Sequence, residues 1–407
     1  MIRFLHTADL QLGMRARDAS ERGERLREAR FTSLERIVRL AQGEQVDFIL
    51  VAGDMFEHNQ VGTRTVSRAV QVLQAAAPIP VFVLPGNHDW YDASSVYQRR
   101  EFADAEADNI TLLVEAKPVD VLEGCRLYPC PVTERWSYVD PTSWIPQRED
   151  DTRIRIGVAH GTLPIPGEER ILPIEPDTAQ RKGLDYLALG HTHGLRRYES
   201  DRVAYPGTPE QTGFGEEAAG QVLLVGIERG RPPEIEPRRT GTLTWLALER
   251  ELDEPADEAL RALREEIQAL EDGPRTLLRL RLSGTVGADS LPLLSEFEAW
   301  LDARCENEQL LHAEFESDLR TSEELAGALR QVAERDEVIA GAVADLRSLA
   351  APEEAAPEGA TGVAPRDRQE LMEAWLATDP PEDEDLSSAD VAREALAILA
   401  EIAGEVE

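Results

Sequence analysis

The first 240 residues repeat one pattern: a short apolar run, then a polar stretch built on Gly, Asp, Asn or His. The runs are residues 2–6, 48–51, 81–84, 126–128, 154–159, 186–189, 203–205 and 222–227, and most are rich in Val, Ile and Leu. Runs this short and this apolar read as buried strands. Between the early ones, residues 25–42 and 63–76 space apolar side chains as amphipathic helices do. Strands alternating with helices predict one large α/β domain over residues 1–240.

Residues 241–320 read as a second, smaller unit. Strands are expected at 243–248, 276–282 and 310–316, with helices at 257–270 and 290–304. A further helix is expected within 321–349. Residues 350–366 are mostly Ala, Pro, Glu and Gly, with little to bury, and read as a linker. Residues 367–407 read as a helical tail whose last segment carries a stripe of Leu396, Leu399 and Ile402. At 407 residues, two or three domains are the expectation.

The net charge of −35 is uneven. Residues 1–240 hold 29 Lys+Arg against 37 Asp+Glu, and residues 241–407 hold 14 against 41. Strong non-specific DNA binding needs clustered cations, so the acidity argues against it for this chain alone. The acid either suits a salty medium, where screening is short-ranged, or leaves DNA contact to be shared with a more basic partner. No apolar run approaches the roughly 20 residues that span a bilayer. The opening MIRFLHTADL lacks the pattern of a signal peptide, so a cytoplasmic location is expected. Cys125, Cys130 and Cys305 match no zinc spacing and are expected as thiols.

Five polar segments follow apolar runs: Asp9-Leu10-Gln11, Gly53-Asp54, Gly86-Asn87-His88-Asp89, His160-Gly161 and Gly190-His191-Thr192-His193. Residues at the carboxyl ends of strands in α/β sheets converge on one crevice. Carboxylate, amide and imidazole together suit Mn²⁺, Fe²⁺ or Zn²⁺. Paired ions a few ångströms apart, roughly 3.5–4 Å, can clamp both oxygens of a phosphoryl displacement. In an extended segment, residues i and i+2 face one side, so Asp9 with Gln11, and His191 with His193, are expected to share a pocket. Gly53 is expected to supply the tight turn before Asp54.

This ordered set resembles the calcineurin-like metallophosphoesterase superfamily. Within it, HTADLQLG, GDMFEHN, LPGNHDW and GHTH are similar to the SbcD family of DNA-repair nucleases. The resemblance covers about residues 1–215 and continues more weakly through the second unit, which matches a capping domain. It implies a sandwich of two mixed sheets flanked by helices, a small α+β capping domain and a helical C-terminal tail. It implies two Mn²⁺ per chain, the first held by Asp9, Gln11, Asp54 and His193, the second by Asp54, Asn87, His160 and His191. His88 would face the scissile phosphate, and Asp89 would orient His88. It implies Mn²⁺-dependent hydrolysis of DNA phosphodiesters, a homodimer, and a tail that grips the coiled coil of an SbcC-like ATPase. Two departures stand out. Gln11 replaces a His common in the family, and Glu57 stands where archaeal and eukaryotic members carry His.

Other positions carry two readings each. His6 and His312 are expected to pack within strands, and His58 is either a loop residue or a helper of the site. The arginines of residues 22–39 alternate with glutamates at pairing distance and read as a solvated face. Arg99, Arg100, Arg196 and Arg197 follow metal motifs and are candidates for nucleic-acid phosphates. Trp90, Tyr91 and Tyr97 would either line a DNA surface or pack in the core or a dimer contact. The competing function is a small-molecule phosphodiesterase or nucleotidase on the same two-metal site.

Overall fold

A computed structural model describes residues 1–14, 21–105, 109–164, 171–252, 256–287 and 290–321. The helix expected at 321–349 (bar its first residue), the linker at 350–366 and the tail at 367–407 lie outside these residues. The chain divides into two compact units. One holds residues 1–246 with 272–278 and 308–312; the other holds 247–271, 279–307 and the residues from 313 on.

The first unit is a sandwich of two six-stranded mixed sheets. Its first sheet is centred on β1 (Ile2–Thr7), β2 (Phe48–Ala52) and β3 (Val81–Leu84), which run parallel. β4 (Ile110–Leu112) closes one edge. The second sheet has β5 (Val119–Leu122) at one edge, then β6 (Cys125–Cys130), β7 (Ile154–His160) and β8 (Tyr186–Gly190), these three parallel. β9 (Arg196–Tyr198) forms its other edge, paired with β10 (Val203–Tyr205). β11 (Gln221–Ile227) returns to the first sheet antiparallel to β1, and β12 (Glu234–Arg239) is its outer edge.

Strand alternation builds the layers, because successive side chains point to opposite faces. Phe4, Phe48, Leu50, Phe82 and Leu84 face the second sheet and meet Leu127, Ile156, Val158, Tyr186 and Ala188. Their neighbours Leu5, Ile49, Val51, Val81 and Val83 face helices on the other side. Those helices are α1 (Glu21–Glu44) and α2 (Thr63–Gln74), with the short α3 (Arg100–Ala105) following β3. α2 buries Val66, Ala69, Val70 and Leu73, the i, i+3, i+4, i+7 stripe that a helix needs on a sheet. Between β7 and β8, α4 (Thr178–Lys182) helps cover the outer face of the second sheet. Both central sets of parallel strands end towards the same polar cluster.

The second unit carries the outer parts of β13 (Thr244–Leu252), β14 (Thr276–Val286) and β15 (His312–Thr321), which form a three-stranded sheet in that order. α5 (Ala256–Gln268) and α6 (Leu291–Glu306) alternate with these strands. Its buried apolar side chains include Leu252, Leu260, Leu263, Ile267, Leu280, Phe297 and Leu301. Among the described residues, no helix is long and apolar enough to cross a membrane.

Candidate metal centre

Each motif leaves its strand at the carboxyl end. Asp9 follows β1, Asp54 follows β2, Asn87 and His88 follow β3, His160 ends β7 and His191 follows β8. The loops interlock through the backbone: Asp9 N–H donates to Gly53 O and Gln11 N–H to Asp54 O, both at 3.0 Å. The extended geometry expected for Asp9 and Gln11 is not what places them. Asp9, Gln11 and Asp54 have φ of 53°, 46° and 51°, and His191 has φ of 106°. Four candidate ligands thus sit in left-handed backbone, a costly conformation held here by the surrounding bonds. Gly53 has φ of +96°, and a Cβ there would stand 2.2 Å from His160 Nδ1. A turn this tight beside an imidazole admits only glycine.

Donor atoms of Asp9, Asp54 and His160 lie within 4.8 Å of one another, all three residues buried. Asn87 Oδ1 stands 2.9 Å from His160 Nε2 and 3.0 Å from His191 Nδ1. His160 Nε2 is 3.4 Å from Asp54 Oδ2. The backbone N–H groups of His191 and His88 donate to the carboxylates of Asp9 and Asp54. Gln11 Nε2 lies 3.0 Å from His193 Nε2, which leaves the buried Gln11 Oε1 without a hydrogen-bond partner.

The histidines are held by the ring nitrogen that faces away. His160 Nδ1 lies 2.9 Å from Ala52 O, and His193 Nδ1 lies 2.8 Å from Glu216 Oε1. A proton on each Nδ1 turns the Nε2 lone pair towards the cluster, as in metal-ligating imidazoles. Carboxylate, amide and imidazole lone pairs then converge with too few protons between them. A cation is the group that satisfies such a set, and the orphaned Gln11 oxygen points to the same need. The residues present therefore fit divalent metal.

The electrostatics show the same excess of negative charge: the carboxylates draw protons onto two of the histidines, and a divalent cation would have to displace those protons. Burial pushes the Asp9 carboxyl up to about 6, because its charge lacks water. Burial likewise pushes His191 down to about 4, so its imidazole is neutral and able to coordinate. Burial opposes charge on His160 too, but Asp54 outweighs it and lifts His160 to about 9. In His193 burial is outweighed by the Glu216 hydrogen bond, which raises it to about 9. Asp54 is held ionised by His160 and His88 against the cost of its own burial.

Two expected roles are revised. Asp89 does not orient His88. Its fully buried carboxylate accepts from Gly86 N–H at 2.7 Å, Phe56 N–H at 3.0 Å and Tyr97 O–H at 2.6 Å. It shapes the loop that presents Asn87 and His88. The His88 ring is oriented by Glu57, whose carbonyl oxygen lies 2.9 Å from His88 Nδ1. Of the four arginines, Arg99 donates to Val61 O and Asn59 O, both at 2.7 Å, and so pins the loop after Asp54. Arg196 pairs with Glu217 and Arg197 with Asp201, while Arg100 is exposed. His6 is a core residue, bonded to Tyr186 Oη and Leu189 O. His58 accepts from Gln60 N–H within its own loop.

The sequence reading missed Glu216 and the Glu57 carbonyl. Glu216 also accepts from Thr208 O–H and Thr212 N–H, and it lies in a loop with no ligand spacing to mark it.

Residues 2–195 match the calcineurin-like phosphoesterase family. The uncharacterized metallophosphoesterase YhaO of Bacillus subtilis (strain 168) is 26% identical over 242 residues. The match takes in 56% of this chain and 58% of YhaO, so the chain spans less than two thirds of that relative's length. Among solved structures, TT1561 of Thermus thermophilus is similar at a TM-score of 0.38 and 14% identity, over 59% of this chain and 99% of that one. The calcineurin-like phosphoesterase YfkN from Bacillus subtilis gives 0.33 and 12%, over 59% and 90%. Residues 2–195, which hold every candidate ligand of the centre, are thus similar to the calcineurin-like phosphoesterase family.

Proposed function

We propose that this chain is a two-metal phosphodiesterase acting on DNA, an Mn²⁺-dependent nuclease subunit of the SbcD-like type. The observation that carries it is the meeting of Asp9, Asp54, Asn87, His160 and His191 around one buried point. Two bound Mn²⁺ would polarise a phosphodiester and clamp its attacking and leaving oxygens. Asp9, Gln11, Asp54 and His193 would hold one ion, and Asp54, Asn87, His160 and His191 the other. His88 stays half-exposed beside this cluster. With Nδ1 tied to Glu57 O, its Nε2 is the atom able to pass a proton to a departing oxygen.

The motifs shared with SbcD-type nucleases favour DNA in double-strand-break repair, with exonuclease and endonuclease activity both open to assay. A homodimer and an SbcC-like ATPase that binds the tail through its coiled coil belong to the same proposal. The alternative is a small-molecule phosphodiesterase on the same centre.

Duplexes with free and blocked ends, incubated with Mn²⁺, separate the two readings. Cleavage that is lost in Asp54→Ala, and slowed about 10²–10⁴-fold in His88→Ala, is the expected result. Hydrolysis of bis(p-nitrophenyl) phosphate with no DNA cleavage, even with an SbcC-like ATPase present, would sink the nuclease reading and leave the alternative standing.

A further inference from the structure

We infer that Trp136 and Tyr138 form a stacking platform for unpaired nucleobases beside the metal centre. The inference rests on the DNA reading above for the class of its ligand. Trp136 is 55% exposed, Tyr138 74% and Val139 68%, three of the five large exposed apolar side chains among the described residues. Water must cover this surface unless a ligand does.

Backbone hydrogen bonds fix where the stretch lies. It follows β6, whose last residue Cys130 is in register with Ala159, one residue before His160. Val132 N–H donates to Pro85 O at 3.4 Å, and Val132 O accepts from Tyr91 N–H at 2.8 Å. The segment is thus tied on both sides to the loop of Asn87 and His88. Ser137 O accepts from Leu172 N–H at 2.8 Å, and Leu172 O accepts from Thr162 N–H at 3.2 Å. The loop after His160 is therefore two hydrogen bonds away. Val132, Ile171 and Leu172 form a small buried cluster with Trp90 packed on it, and Leu172 N–H holds Ser137 O, so the backbone between the two aromatics is anchored while their rings stay exposed.

The chemistry favours a base over a protein side chain. Arg135 lies 5.5 Å over the Trp136 ring, so a π-face and a cation are offered together. Stacking is tolerant of sequence, because every base has a π-face. It also suits a chain with net charge −35. Phosphate contacts gain affinity by counterion release, which an excess of carboxylates opposes; stacking does not depend on it.

Binding of fluorescein-labelled dT15 to the full chain in EDTA tests this, since no cleavage occurs there. Trp136→Ala and Tyr138→Ala are each expected to weaken binding about tenfold, and Trp136→Phe to restore most of it. The wild-type affinity is expected to fall only shallowly with salt. Mn²⁺ binding by calorimetric titration should be unchanged in all three variants, because neither aromatic is a candidate ligand. Melting temperature controls for folding. Wild-type affinity in both alanine variants, or no binding of dT15 at all, overturns the platform. So does a change confined to sedimentation behaviour, which would make this face a contact between protein chains. Failure of the nuclease reading looks different: dT15 binds and the aromatic variants weaken it, yet no DNA is cut in Mn²⁺.

Discussion

Glu216 shows how a single carboxylate can govern a ligand without touching a metal. It accepts from His193 Nδ1, Thr208 O–H and Thr212 N–H, so the imidazole plane is fixed from behind. Glu216→Gln keeps the size but replaces a charged acceptor with an amide that can also turn its NH₂ towards the ring. Loss of such an outer partner commonly costs 10–100-fold in metal affinity. On the two-Mn²⁺ proposal, one ion should bind that much more weakly and the other as before, read by calorimetric titration. Two unchanged binding events would refute the role. Gln11 makes a second case. Its amide now meets His193 Nε2, and its carbonyl is a weaker donor to transition metals than imidazole. Gln11→His should raise Zn²⁺ affinity more than Mn²⁺ affinity, and equal changes for the two ions would count against it. The convergence of the ligand motifs was legible because each stands just past an apolar strand. Glu216 and the Glu57 carbonyl were not: one approaches from a distant loop, and the other acts through its backbone, which no side-chain pattern reports.

The elements divide the same way. Every strand predicted from an apolar run is present, within a few residues at its ends. The four missed in the first unit, β4, β5, β9 and β12, are the four edges of its two sheets. An edge strand pairs on one side only and meets water, so sequences such as Glu234–Arg239 stay polar and give no buried-strand signal. The turns were legible in part. Gly53 was expected to make the bend, and its φ of +96° beside His160 gives the reason. Gly53→Ala adds a strained backbone and a clash, so a loss of about 1–3 kcal/mol is expected in denaturant unfolding. Loss of metal binding should go with it; unchanged stability and binding would show that the loop has another conformation to use. β6 supplies a test of core packing. Burial pushes the Cys125 and Cys130 thiols up to about 12, so both are protonated at pH 8 and poor nucleophiles. A thiol reagent at that pH should modify at most Cys305 in the native protein and all three cysteines after denaturation. Fast modification of Cys125 or Cys130 would mean that β6 opens readily.

For the whole molecule the dominant quantity is charge. Residues 241–407 carry 14 basic and 41 acidic side chains, and the full chain stands at −35. Among the described residues, local pairing takes up some of it, as in Arg279 with Glu314 and Arg281 with Glu316. Exposed pairs of this kind contribute little, about 0–1 kcal/mol each, and cannot neutralise a threefold excess of acid. Self-repulsion therefore opposes compaction, and it is relieved by ions rather than by contacts. The Debye length shrinks from roughly 30 Å at 0.01 M salt to about 8 Å at 0.15 M, a range over which repulsion between separate acidic groups should largely disappear. Raising NaCl across that range should thus raise the melting temperature by several degrees. Most of the rise should fall below about 0.2 M, where screening changes fastest. A stabilisation that instead grew steadily to molar salt would point to ion exclusion from apolar surface. A fall would mean that favourable ion pairs outweigh the excess of carboxylates, and the charge imbalance would then lose its place as the main electrostatic fact about this chain.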